Sequence, residues 1–151
     1  MNTSISLTTT TQISSSVSKV WEALTKPELI KKYFFGTEVV TDWKKGSPII
    51  WRGVWEGKPY EEKGNVLEVQ PGRFLKYNYW SPSSGTEDKP ENYSVITYTV
   101  KEANGKTEFT LTQSGFKSEE DRDHSISNWK MVMDGLKKLL EQQSKQKSMA
   151  E

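Results

Sequence analysis

A long helix is predicted at residues 118–142, which read SEEDRDHSISNWKMVMDGLKKLLEQ. Ser118 is a suitable N-cap residue, and the acidic first turn with lysines near the end matches the helix dipole. Gly135 lacks a side chain in the middle of the helix, which predicts a close approach to another element. Apolar residues step by three and four along one face, at Ile126, Trp129, Met133, Leu136 and Leu140.

Most of the sequence upstream of this helix predicts β-structure. Alternating apolar and polar residues, separated by turn residues such as Asn104-Gly105, are typical of antiparallel hairpins. Two short helices are predicted after the first strand, one with apolar residues at helical spacing from Val17 and one beginning at Pro27. The predicted strands cover residues 5–13, 37–41, 49–55, 60–69, 74–80, 93–100 and 107–114.

This order of elements predicts an α+β fold, in which a curved antiparallel sheet wraps around the long C-terminal helix. The sheet has to cover its apolar face, and the long helix is the only element large enough to do so. One helix is about 10–12 Å across, which is too slim to fill the concave side of a curved sheet. Large side chains or a cavity must therefore occupy the remaining space. We expect a single domain over residues 1–142 and a disordered tail over residues 143–151.

The composition excludes several functional classes. The 151 residues include no Cys and one His, which rules out disulfides, zinc fingers, thiol nucleophiles and multi-histidine metal sites. No metal and no cofactor is therefore expected. The net charge of +1 with interspersed signs does not favour nucleic-acid binding. No apolar run approaches ~20 residues and no signal peptide is recognisable, so we expect a cytoplasmic protein with no membrane association.

Apolar and aromatic residues on the predicted inner strand faces and on the helix stripe are the candidate binding residues. They either form a solid core or line a cavity for a small apolar or amphipathic molecule, which Tyr hydroxyls and Gln113 would orient. A buried Gln113 without a partner would cost ~1–3 kcal/mol, so it should bond a Tyr, a water or a ligand. The candidates are Trp51, Trp55, Tyr77, Tyr79, Tyr98, Phe109, Leu111, Gln113, Phe116, Trp129 and Met133.

The direction of several side chains is open at this stage. We favour inward-facing side chains for Trp51 and Trp55, because two outward-facing Trp side chains would form an exposed apolar patch. Outward-facing side chains would instead indicate a protein partner. Glu68 becomes a candidate base only if a bulge near Gly64 turns it inward, and a solvated or paired carboxylate is preferred. Solvent-facing side chains are expected for Glu61-Glu62. No catalytic residue is predicted, since the sole His124 has no activated Ser as a partner.

Several motifs resemble those of one protein family. Residues 20–34, VWEALTKPELIKKYF, resemble the signature VWxALTxPExIxxWF of the family related to the C-terminal domain of the activator of the ninety-kilodalton heat-shock chaperone's ATPase. Residues 64–69 with 74–77, and residues 107–116, are similar to two further motifs, and Trp129 resembles the Trp that opens the last helix. Gln113 stands where many members have His, and Asn128 where they have Gly.

The resemblance implies the helix-grip fold of the SRPBCC superfamily, shared with the birch-pollen allergen and lipid-transfer START domains. That fold encloses an apolar cavity between the sheet and the last helix. Three functions stay open: binding of a hydrophobic ligand with a link to stress, an enzyme of the cyclase or hydrolase type, and a chaperone-linked interaction module. The missing His and the lack of a nucleophile–base pair favour a non-enzymatic role. A homodimer is an open alternative, whereas a chaperone partner is not expected, because this sequence has no counterpart of the co-chaperone's N-terminal domain.

Overall fold

The computed structural model describes the backbone of residues 5–150, and the side chains of residues 5–142 except those of Trp55 and Ser83. These residues form one curved antiparallel sheet with the strand order β1-β7-β6-β5-β4-β3-β2. The strands are β1 Ser6–Ile13, β2 Glu38–Val40, β3 Pro48–Trp55, β4 Lys58–Gln70, β5 Phe74–Tyr79, β6 Ser94–Ala103 and β7 Lys106–Ser114. The α-helices are α1 Val17–Thr25, α2 Pro27–Tyr33 and α3 Glu119–Ala150.

The predicted α+β helix-grip fold is confirmed, with two short helices after the first strand and a long helix at the C-terminus. Every predicted strand is present, and its ends shift by a few residues at most. The single domain at residues 1–142 and the disordered tail at 143–151 stay predictions. The side chains of residues 143–151 lie outside the described part of the chain, as do residues 1–4.

The helices begin where the sequence supplies caps. The hydroxyl oxygen of Ser16 accepts a hydrogen bond from the backbone N–H of Lys19 at 3.2 Å and so starts α1. Pro27 occupies the first position of α2, where its missing N–H costs nothing. Ser118 accepts from the backbone N–H of Asp121 at 3.1 Å and starts α3.

The buried face of α3 is wider than the stripe that the sequence predicts. Val132 is 5% exposed and belongs to the core, although the prediction omitted it, whereas Ile126 is only half-buried. A helix that packs on a concave surface buries three or four residues in every two turns rather than two. The fully buried positions of α3 are Trp129, Val132, Met133, Leu136 and Leu140.

The C-terminal half of α3 is fixed to the rest of the molecule. A Cβ on Gly135 would lie 3.2 Å from the Cβ of Tyr33 in α2, which confirms the predicted close approach. Lys137 Nζ donates to the carbonyl oxygen of Gln12 at 2.7 Å. One turn further along, Glu141 accepts from the backbone N–H of Ser14 at 2.9 Å, and this bond lowers the pKa of its carboxyl.

Strands β4 and β5 approach each other closely at Gly64. A Cβ there would lie 1.8 Å from the carbonyl oxygen of Asn78, so this position tolerates no side chain. The ladder also contains a register shift, which lies between Val66 and Glu68 rather than near Gly64 as the sequence suggested. The shift moves Glu68 opposite Lys76, and thus to the outer face of the sheet.

The substitution Gly64→Ala is expected to lower the free energy of unfolding by about 3 kcal/mol, the upper end of typical overpacking losses, because backbone atoms must move. Urea unfolding followed by circular dichroism would measure the loss. Gly46→Ala is the control, since its new Cβ meets nothing within 4 Å, and its only cost is a φ of +88° that disfavours Ala and that Gly64 does not have. That control should lose about 1–2 kcal/mol. Equal losses in the two variants would contradict the proposed backbone collision.

Candidate functional site

A cavity of about 1170 Å³ lies between the inner face of the sheet and the N-terminal half of α3. The backbone of α3 comes closest to β1, α1 and α2, and the cavity extends over residues of β3, β4 and β5. The segment that follows α2 closes one end of the space, and the turn between β3 and β4 borders another part. The sequence predicted that either large side chains or a cavity would occupy the concave side of the sheet, and the structure contains a cavity there.

Five of the predicted binding residues line this cavity: Trp51, Tyr77, Tyr79, Gln113 and Trp129. Their relative positions follow from strand alternation, which turns every second residue of β3, β5 and β7 toward α3. Trp51 points inward as predicted and is 7% exposed.

Five of the remaining six predicted residues do not border the cavity. Four of them pack in the core behind it, and Tyr98 borders a separate void of about 20 Å³ together with Trp51 and Tyr77. The side chain of Trp55 lies outside the described part of the chain. The four core residues are Phe109, Leu111, Phe116 and Met133.

Tilted and edge-to-face ring contacts hold the aromatic wall of the cavity in place. The ring of Trp51 lies 5.5 Å from the rings of both Tyr77 and Tyr79. On the helix side, Phe34 lies 5.8 Å from Trp129 at an interplanar angle of 81°. Such contacts add about 0.5–1.5 kcal/mol each to the burial of the rings. The wall is therefore organised without a ligand.

Gln113 is buried, and its hydrogen-bond partners differ from the prediction. Its side-chain oxygen accepts from the indole N–H of Trp129 at 2.7 Å, and its nitrogen donates to the Ser94 hydroxyl at 3.1 Å. The predicted Tyr is not among these partners, because the helix itself brings the indole donor to the strand, whereas a bond to a water or a ligand stays a prediction. An amide has two N–H donors and two acceptor sites, so one of each has no partner among the described residues.

A carboxylate also lines the cavity, which contradicts the expected solvent-facing Glu62. The hydroxyl of Tyr79 donates a short hydrogen bond to Glu62. Burial, followed by the charge of Glu62, raises the pKa of Tyr79. Alternation counted back from buried Val66 through Gly64 places Glu62 on the inner face, and this signal was available in the sequence.

The other titratable candidates, Glu68 and His124, lie at the surface. Glu68 faces outward and lies 3.8 Å from Lys45, so the inward orientation that would make it a base does not occur. His124 is exposed at the rim of the cavity. Among the described residues, no three His, Asp or Glu side chains are grouped closely enough to hold a metal ion. In the same part of the chain, no helix is both long and apolar enough to cross a bilayer.

Sequence reasoning missed several apolar residues of the cavity. Phe35 and Met131 are 45% and 55% exposed and border the cavity beside Phe34 and Val132. Met131 lies off the buried stripe of α3, so periodicity gave no reason to select it. Phe35 follows the last turn of α2 with a φ of 55°, a left-handed conformation that sequence pattern does not reveal.

Comparison with known proteins gives one family match. Residues 14–141 match the family described as Activator of Hsp90 ATPase homolog 1-like protein. A Cytophaga hutchinsonii protein of known solution structure is 43% identical, and the superposition covers 96% of this chain and 99% of that one with a TM-score of 0.82. No curated protein matches the chain.

Two more distant structures share the fold. A crystal structure of a Mesorhizobium loti protein is 24% identical, covers 91% of this chain and 98% of its own, and has a TM-score of 0.77. The solution structure of the Aha1 dimer from Colwellia psychrerythraea is 18% identical, covers 90% and 96%, and has a TM-score of 0.72. At these identities the likeness concerns the fold alone.

Buried tyrosines predict alkaline unfolding. The hydroxyls of Tyr77 and Tyr98 are hydrogen-bonded at 2.8 Å. Burial raises the pKa of Tyr77 well above 10 and that of Tyr98 to about 12. The folded state keeps these phenols protonated, so their stabilisation is complete below pH 10 and is lost as the pH rises toward 12. For Tyr98 alone the two-unit shift corresponds to about 3 kcal/mol.

Urea unfolding at several alkaline pH values, with tyrosine ionisation followed by ultraviolet absorbance, would measure this loss. Tyr98→Phe is the matched variant, and the pH dependence of its stability should be weaker. Ionisation of all tyrosines near their ordinary pKa in a protein that stays folded would contradict the expectation.

The bond between Gln113 and Trp129 can be tested by a double-mutant cycle. Gln113→Leu is expected to lower the free energy of unfolding by about 1–3 kcal/mol, because the buried indole N–H loses its acceptor. Combined with Trp129→Phe, the loss should fall short of the sum by about 1 kcal/mol. Thr112→Val, at the neighbouring position of β7, is the control and should change stability by less than about 0.5 kcal/mol. Strictly additive losses would rule out the coupling.

Proposed function

The chain belongs to the family of Activator of Hsp90 ATPase homolog 1-like proteins, and from this premise we propose that it binds a small hydrophobic or amphipathic molecule in the cavity. The observation that carries the proposal is the cavity volume of about 1170 Å³ with walls of aromatic and aliphatic side chains. Pockets that bind small molecules have volumes of roughly 300–1,000 Å³ and a few polar groups among apolar walls. The volume of this cavity lies slightly above that range, and its apolar walls with a few polar groups match the description.

The free energy of binding would come mainly from the burial of apolar surface. A ligand that buried ~300 Å² of apolar surface would gain ~7 kcal/mol, from which the lost freedom of the ligand subtracts several kcal/mol. The proposed direct contacts are Trp51, Tyr77, Tyr79, Gln113 and Trp129, with Phe34, Phe35 and Met131 at the border. The free N–H and acceptor site of Gln113 would orient a polar group of the ligand. The core residues Tyr98, Phe109, Leu111, Phe116 and Met133 would hold the wall from behind.

The remaining expectations belong to the same proposal. We place the protein in the cytoplasm, with a non-enzymatic role.

A homodimer is a separate proposal, which the dimer named for the Colwellia psychrerythraea structure supports only by analogy of fold. Exposed apolar side chains of Val40 and Val54, 44% and 65% accessible on neighbouring strands at one edge of the sheet, are compatible with it.

Native mass spectrometry of freshly purified protein, followed by organic extraction, is the first experiment. A small molecule that co-purifies would support the proposal and reveal its chemistry. A clean mass of the protein alone, together with no thermal shift across a panel of lipids and aromatic compounds, would count against it.

A blocked cavity tests the location of binding. Ser125→Trp places a large ring on the cavity side of α3 and is expected to weaken the affinity for any bound apolar molecule about tenfold or more, which corresponds to about 1.4 kcal/mol. Ser127→Trp is the matched control, because Ser127 is exposed and does not border the cavity. Isothermal titration calorimetry of both variants would measure the affinities. Unchanged binding by the Ser125 variant would place the ligand elsewhere.

A further inference from the structure

Carboxylates outnumber lysines at the border of the cavity. Three carboxylates and one lysine border it. Glu61 is paired with Arg52 Nε at 3.0 Å. Glu56 lies at the exposed turn between β3 and β4, two residues from Lys58, and water surrounds both side chains. Glu62 is the only one of the three carboxylates that is partly buried, and it has no cationic partner among the described residues.

Glu62 lies directly beside the aromatic wall. It is the cross-strand neighbour of Trp51 in the β3–β4 ladder, which puts both side chains on the same face of the sheet. Its carboxylate accepts the hydroxyl of Tyr79, and the Tyr79 ring is 5.5 Å from that of Trp51. The ring of Tyr77 also belongs to this wall and lies 5.5 Å from that of Trp51.

This combination is suited to one kind of charge. The faces of Trp and Tyr rings attract cations electrostatically, and the attraction grows when the cation is removed from water. A carboxylate adds a direct ion pair or a charge-assisted hydrogen bond. An anionic group at the same place would meet a like charge next to apolar rings and would lose its hydration without compensation.

We propose that the cavity selects amphipathic organic cations, whose protonated amine or quaternary ammonium group lies against Glu62 while the apolar body lies along Phe34 and Trp129. This inference rests on the proposed function, because it assigns the ligand class of the same cavity. The positive groups at the rim do not oppose it strongly. Lys58 and His124 are exposed, and water and salt screen their repulsion.

The probes are three molecules with the same unbranched decyl chain: decylamine, decanol and decanoate. At neutral pH the first is a cation, the second is neutral and the third is an anion. Isothermal titration calorimetry below the concentrations at which they form micelles would give the three affinities. Decylamine is expected to bind about tenfold more tightly than decanol, and decanoate more weakly than decanol. Decyltrimethylammonium should also bind more tightly than decanol, since ring faces need no N–H donor.

Two variants locate the selectivity. Glu62→Gln keeps the shape of the side chain and should weaken decylamine binding about tenfold, while its affinity for decanol stays within about twofold. Glu68→Gln is the matched control on the same strand, because Glu68 faces outward and pairs with Lys45. Its affinities for all probes should equal those of the parent protein. Retained decanol binding also shows that the Glu62 variant is folded.

The outcomes separate the two proposals. Equal binding of decylamine and decanol, or decanoate binding as tightly as decylamine, overturns the cation selectivity and leaves the proposed function standing. Selectivity that persists in Glu62→Gln overturns the role of Glu62. Failure of all the probes, decanol included, to bind the parent protein overturns both the selectivity and the proposed function.

Discussion

The width of one helix relative to the sheet is the constraint on which the site depends. An α-helix is about 10–12 Å across and neighbouring strands are about 4.8 Å apart, so a single helix covers the breadth of two or three strands. α3 lies toward β1 and the two short helices, and the cavity extends over residues of β3, β4 and β5. Aromatic side chains from β3 and β5 extend into that space but leave a large part of it empty.

The same rings serve as core and as cavity wall. Trp51, Tyr77 and Trp129 are each less than 9% exposed, yet each borders the cavity. They are fixed from behind by ring contacts and by the Gln113 bond, so a ligand would not have to order them on binding. Preorganisation of this kind reduces the entropy that association loses. It also means that stability and binding depend on the same residues, and a substitution here affects both.

Periodicity was sufficient to predict the elements of the fold and the inner faces of β5, β6 and β7, because each of these strands is regular. It failed where the geometry of a strand is irregular or where two elements meet. The register shift after Val66 decides the direction of Glu68, and no residue type in the sequence marks it. The pairing of Gln113 with Trp129 joins a strand to a helix and depends on how far α3 is rotated. Alternation along β4 was sufficient to predict that Glu62 faces inward, but the two adjacent Glu residues were interpreted as a solvated surface.

The attachment of α3 is uneven along its length, and this has a kinetic consequence. Gly135 against Tyr33, Lys137 on Gln12 and Glu141 on Ser14 anchor the half of the helix beyond the cavity. The half that borders the cavity is held by the bond from Trp129 to Gln113 and by the ring contact of Trp129 with Phe34. If α3 acts as a lever with its fulcrum near Gly135, a guest would pass when this half tilts and the Trp129–Gln113 bond breaks. Displacements of helices take microseconds to milliseconds, so exchange of a guest would proceed by tilting of this lever, without unfolding of the sheet.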